Sequence, residues 1–123
     1  MRTFATKTFR RFQRKEGISD AALLEAVGRA GRGLVDANLG GGLIKQRIAR
    51  KGQGRSGGYR TILALRAGER SVCLYGFAKN ERDNIDEDEL RRWRIAGRVV
   101  LEGDEHWIEM AIATGDLAEI EDG

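Results

Sequence analysis

The sequence predicts an α+β domain: a two-helix hairpin packed on a mostly antiparallel sheet of about four strands, with a C-terminal helical extension. Three observations predict it. Two helical segments occupy the chain before residue 35, apolar residues alternate in short runs between 43 and 77, and helical periodicity returns after residue 86. Short strands after helices favour helices layered on one sheet face. The 123 residues read as one domain, with 1–85 as the core and 86–123 as a helical extension ending in an acidic tail. That length buries a core without staples.

Taken in order, Thr3 to Ala5 is a candidate for a short first strand. Thr6 to Lys15 reads as a helix with Phe9 and Phe12 on one side, stopped by Gly17. Ser19 is a good N-cap for a second helix, Asp20 to about Leu34, whose Leu23, Leu24, Val27, Ala30 and Leu34 can share a face. Asn38 to Gly42 (NLGGG) is a breaker cluster. Leu43 to Ala49 then alternates, with Ile44, Gln46 and Ile48 on one face and Lys45 and Arg47 on the other. Lys51 to Gly57 reads as a loop, Gly58 to Arg66 as a strand, and Ser71 to Phe77 as its hairpin partner. Asp86 to Glu102 is a helix opened by acids, Asp104 can cap a short helix through Ala113, and Leu117 to Ile120 is a last strand or a frayed end.

Charge is distributed unevenly. Lys and Arg number 22 against 19 Asp and Glu, a net charge of +3. Between Asp36 and Glu69 there is no acid, yet Lys45, Arg47, Arg50, Lys51, Arg55, Arg60 and Arg66 all fall there. From Glu102 onward there are only acids and no Lys or Arg. A basic body with an acidic tail points to a polyanionic partner such as nucleic acid. The tail is expected to lie over the basic face, to join a partner interface, or simply to complete the apolar cover through Trp107, Ile108 and Ile112. The N-terminus has no continuous apolar stretch and no run approaches a membrane span, so the expected compartment is the cytoplasm, with no membrane partner. The single Cys73, in an apolar run, excludes an intramolecular disulfide and reads as a small core residue.

Several motifs are excluded on context. Gly52, Gly54 and Gly57 satisfy G-x-G-x-x-G, but the loop opens a strand and no ribose-binding acid follows. Tyr75-Gly76-Phe77 faintly resembles the aromatic strand of an RNA-recognition motif, without the companion aromatic strand or the element order. His106 is the only histidine, so no histidine pair can run acid–base RNA cleavage. Cation-based chemistry is physically open: a ribose 2′-OH attacks its phosphate while guanidinium groups stabilise the charge on the non-bridging oxygens. Losing one such donor costs roughly 3–4 kcal/mol in the transition state. Composition alone leaves open whether the cations cleave RNA or only bind it.

The blocks K-x-R-x-A-x-x-G-x-G-x-S-G-G-Y-R (Lys45 to Arg60) and F-A-K-N-E-R (Phe77 to Arg82), with this element order over Thr3 to Glu102, resemble the RelE/HigB group of bacterial toxin–antitoxin toxins. The resemblance implies a RelE-like fold and a ribosome-dependent mRNA endoribonuclease, an mRNA interferase cutting in the A site. It implies no metal or organic cofactor. It also implies a cognate antitoxin, a helix-turn-helix DNA-binding protein, as the neutralising partner. Lys45, Arg47 and Arg60 match the catalytic cations. Lys51, Arg55, Tyr59, Lys79, Asn80 and Arg82 are expected to hold RNA. Asn80 stands where better-known members have an arginine proposed as general acid, and Asp86 near their catalytic tyrosine. Lys51 or Arg55 is the expected substitute for the acid. Two alternatives stay open within the resemblance: a ParE-like gyrase-binding toxin, and a non-catalytic RNA-binding relative.

Overall fold

The computed structural model describes residues 1–50, 54–78 and 85–121, and their side chains except at 50 and 54–57. Strand β1 (Arg2–Thr6) opens the chain, followed by helices α1 (Lys7–Glu16) and α2 (Asp20–Gly31) and strands β2 (Ala37–Gly40), β3 (Leu43–Arg50), β4 (Gly54–Arg66) and β5 (Arg70–Ala78). Helices α3 (Glu87–Glu102) and α4 (Glu105–Ala113) and strand β6 (Leu117–Ile120) complete it. The strands form one sheet in the order β2-β3-β4-β5-β1-β6, antiparallel except where β1 runs parallel to β5.

This corrects the expected architecture. The fold class is α+β, but the sheet has six strands rather than about four, and a strand, not the helical hairpin, begins the chain. The helices also cover both faces instead of one. On the back face, Phe9, Leu23, Ala26, Val27 and Ala30 of α1 and α2 pack against Ile44, Ile48, Leu63 and Cys73. On the front face, Val100, Leu101, Ile108 and Ala111 of α3 and α4 pack against Phe4, Leu43, Ile62, Ala64 and Val72. The physical reason is that β3 to β5 carry apolar residues on both sides, so each face needs a cover. Burying one such side chain contributes about 1.5–3 kcal/mol.

The strands missed or left open lacked a local signal. β2 lies inside the glycine cluster, where glycines hide any alternation, and Gly40, Gly41 and Gly42 all adopt positive φ in the turn to β3. β1 and β6 are short and find each other only across the whole chain. β4 begins at Gly54, so backbone expected in the loop pairs as strand, while residues 51–53 lie outside the described residues.

Helix ends are made by side chains of the expected kinds. Thr6 accepts from the Phe9 amide at 3.1 Å while its own hydroxyl donates to the Leu74 carbonyl at 2.9 Å, and Gly17 closes α1 at φ 67°. Ser19 caps α2 through the Ala22 amide. That helix stops at Gly31, which leaves Leu34 exposed and outside the apolar face assigned to it. Asp86 and Asp104 cap α3 and α4. Arg70 donates to the Val100 and Gly103 carbonyls at 3.0 and 2.6 Å, and Arg94 to the Leu39 carbonyl at 2.8 Å, tying α3 to β5 and β2. A Cβ at Gly76 would come within 2.5 Å of the Phe12 ring, so glycine there lets α1 approach the sheet.

Candidate functional site

Register places the three expected catalytic cations on one face. Arg47 of β3 pairs with Arg60 of β4, and Arg60 with Phe77 of β5, forming one row across the sheet. Lys45, Ile62 and Tyr75 form the adjacent row. Ile62 and Phe77 belong to the front-face core, so Lys45, Arg47 and Arg60, which share their facing, stand on the front. Side chains directly opposite in such a pair have Cβ atoms roughly 4.5–5.5 Å apart. Like charges placed so are mutually destabilising, and an anion between them reverses the sign.

Each cation has a different environment. Arg47 is exposed, Lys45 is half-buried, and Arg60 is only 7% exposed, with Nη1 donating to the Tyr59 carbonyl at 3.3 Å. A buried guanidinium loses water screening, so its field reaches an approaching phosphate more strongly than a surface lysine's does.

The strand beneath is held from the side. β2 pairs with β3 only as far as Lys45, so the Arg47 backbone has no strand neighbour on that edge. Side chains replace it: the Arg47 amide donates to Asp36 Oδ2 at 2.7 Å, and its carbonyl accepts from Arg29 Nη2 at 2.6 Å. Arg29 is itself buried, donates through Nε to Glu25 at 2.8 Å, and lies 3.8 Å from Asp36. Next to it the fully buried Gln46 donates to the Ala26 and Leu34 carbonyls and accepts from the Asp36 amide, all at 3.0 Å. Arg29 and Asp36 were not visible as site residues in the sequence. The only signal is that Asp36 is the last acid before the basic stretch.

Tyr59 is corrected. Grouped with the RNA-contacting residues by its motif, it instead faces the back: it is 4% exposed, meets Phe12 edge-on at 5.7 Å, and donates to the Glu16 carbonyl at 3.3 Å. Lys51, Lys79, Asn80 and Arg82 lie outside the described residues, as does the side chain of Arg55. Cys73 is fully buried on the back face, and burial pushes its thiol up to about 12, which excludes it as a nucleophile at neutral pH. Among the described residues no cluster of His, Cys, Asp and Glu could hold a metal ion. No helix among them is long and apolar enough to cross a membrane.

The model for the RelE toxin of the RelE / RelB toxin–antitoxin system matches residues 1–120. The chain belongs to the RelE toxin family. The RelE match reaches past Glu102, where the motif resemblance ended, and takes in α4 and β6. The C-terminal extension is therefore part of the RelE-family unit, in keeping with its place in the front core and at the sheet edge. Membership implies a cognate antitoxin as partner. Among curated proteins, none matches the chain.

Of the tail's acids, Glu105 and Glu119 do not lie over the cations. β6 is the sheet edge farthest from β2 and β3, with β4, β5 and β1 between. There Arg2 pairs with Glu105 of α4 and, at 2.9 Å, with Glu119 of β6. Glu105 and Glu119 are thus held beside β1, two strands from Arg60 and three from Lys45 and Arg47.

Proposed function

We propose that this RelE-family toxin is a metal-independent endoribonuclease that cuts mRNA in the ribosomal A site and is neutralised by a helix-turn-helix antitoxin. The observation that carries the reading is the cross-strand pair Arg47–Arg60 with Lys45 two residues along, three cations converging on one face. The family's toxins are generally endoribonucleases, which supports the same reading.

In this reading the scissile phosphate sits over the row of Arg47 and Arg60. The 2′-oxygen forms a bond to phosphorus as the bond to the 5′-oxygen breaks, leaving a 2′,3′-cyclic phosphate and a 5′-hydroxyl. The 2′-OH proton passes to water as attack proceeds, and a proton is returned to the 5′-oxygen. Arg60, buried and stiff, and Arg47 stabilise the charge growing on the non-bridging oxygens, and Lys45 adds a point charge. Proton donation to the leaving oxygen falls to Lys51 or Arg55. Lys79, Asn80 and Arg82 hold the RNA or the ribosome.

Primer extension on a reporter mRNA after induction tests this, with Arg60→Ala as control. Cuts inside translated codons are expected, and they disappear with Arg60→Ala or when translation is blocked. Growth arrest with intact mRNA would overturn the nuclease reading and move the target to gyrase or another protein. If Lys51→Ala with Arg55→Ala left growth inhibition intact, the general-acid role would have to be withdrawn from both.

A further inference from the structure

The Tyr-Gly-Phe run at 75–77 has no part in the phosphate chemistry, yet the fold turns it onto the cationic face. β5 pairs with β4 through Leu63–Cys73 and then Ile62–Tyr75, so Leu74 is an extra residue, a β-bulge. Because of it Leu74 and Tyr75 both face front, where simple alternation would send Tyr75 to the back, toward α1. Tyr75 thereby joins the row of Lys45 and Ile62, and Phe77 the row of Arg47 and Arg60.

A companion aromatic arrives from outside the sheet. Trp93 of α3 stacks on Tyr75 with ring centroids 5.2 Å apart and planes 24° from parallel, and Phe77 lies 6.0 Å beyond Tyr75. Tyr75 and Trp93 are both half-buried, so neither residue is sealed in the core. The indole Nε1 is shielded and has no acceptor among the described residues. A leucine would fill that place without a stranded N–H, so what tryptophan contributes there is its π surface.

We propose that the Tyr75–Trp93 pair is a stacking site for a nucleobase of single-stranded RNA, the base next to the phosphate held by Lys45, Arg47 and Arg60. This rests on the RNA reading above. Tyr75 lies two strands from Lys45, about 10 Å at roughly 4.8 Å per strand, a separation one nucleotide bridges from its phosphate to the far edge of its base. A basic groove beside stacked aromatics is how single strands are held without dependence on base identity. The pair therefore favours unpaired RNA over duplex and tolerates any base.

The test uses a fluorescein-labelled, 2′-O-methyl RNA hexamer, which cannot be cleaved at the modified riboses. The chain has two tryptophans, so Trp107→Phe leaves Trp93 as the only indole reporter. Hexamer binding, followed by anisotropy, is expected to quench Trp93 emission. In the full chain, Trp93→Leu should weaken binding about 5- to 150-fold, with partial rescue by Trp93→Phe. Binding that leaves Trp93 emission unchanged, with Trp93→Leu as tight as the parent, would overturn the stacking site and leave the RNA reading standing. No hexamer binding at all would overturn both. Should Trp93→Leu fail to fold, the quenching measurement still decides, because it leaves Trp93 in place.

Discussion

Arg29 reaches from α2 to the backbone of a strand it does not belong to. With Asp36 it completes the hydrogen bonding of Arg47, so it is a positioning residue for the cationic row. A hydrogen bond to a charged group contributes roughly 1.5–3 kcal/mol. Arg29→Met is therefore expected to lower thermal stability by about that amount. On the nuclease reading proposed above, it should also reduce mRNA cleavage more than Arg32→Met, a change at the exposed C-cap of the same helix. Melting curves and primer extension on both variants check this, and Arg29→Lys, which keeps one donor, should recover part of the cleavage. Cys73 makes a second residue-scale prediction. Fully buried, with its thiol pushed up to about 12, it should resist a thiol reagent at pH 8 in the native protein and react once denatured. Labelling followed by mass measurement reads the result.

At the scale of elements, the contact of α1 with the sheet depends on Gly76. Gly76→Ala would drive a methyl group against Phe12, and overpacking of this kind costs about 1–3 kcal/mol, which a lowered melting temperature would show. The α1–α2 hairpin is joined by Asp20, which accepts from Gln13 Nε2 at 2.7 Å and Arg10 Nη1 at 2.9 Å. The Gln13 hydrogen bond first, then the Arg10 partner, hold the Asp20 carboxyl below its ordinary value. A carboxylate whose folded value is depressed adds stability above its unfolded value, near 3.9, and that stability is lost as pH falls through the folded value. Asp20→Asn is thus expected to reduce stability at pH 7 and to flatten the acid limb of stability below about pH 4. Denaturant melts at pH 7, 4 and 3 test both signs.

For the whole molecule, the C-terminal segment closes the sheet and covers the front. Ile108 is fully buried and β6 pairs with β1 along four residues. Deleting 104–123 should therefore unfold the chain rather than tune its affinity for RNA, and a cooperative melt in the truncated protein would refute this. Salt dependence belongs to the same scale, because it reports total phosphate contact. On the RNA reading, each single-strand phosphate neutralised contributes about −0.7 to the slope of log affinity against log salt. Replacing Lys45, Arg47 and Arg60 together by alanine should flatten that slope by about 2 units. An unchanged slope would mean that RNA is bound elsewhere.

Much of this was legible from local pattern. The alternation of Lys45 and Arg47 against Ile44, Gln46 and Ile48 follows from the two-residue period of a strand, and the structure places both sets on the faces that period assigns. The caps at Ser19 and Asp104, the buried Cys73 and the family motifs are likewise written into neighbouring residues, because each depends on interactions a few positions long. Only the tertiary structure decided the six-stranded order, the helices on both faces, the inward turn of Tyr59, the front-facing Tyr75, the clamp of Arg29 and Asp36 on Arg47, and the distance of Glu105 and Glu119 from the cations. These depend on strand partners and bulges set between segments as much as 117 residues apart. Such choices follow from which surfaces can be buried together, and no local run of side chains carries them.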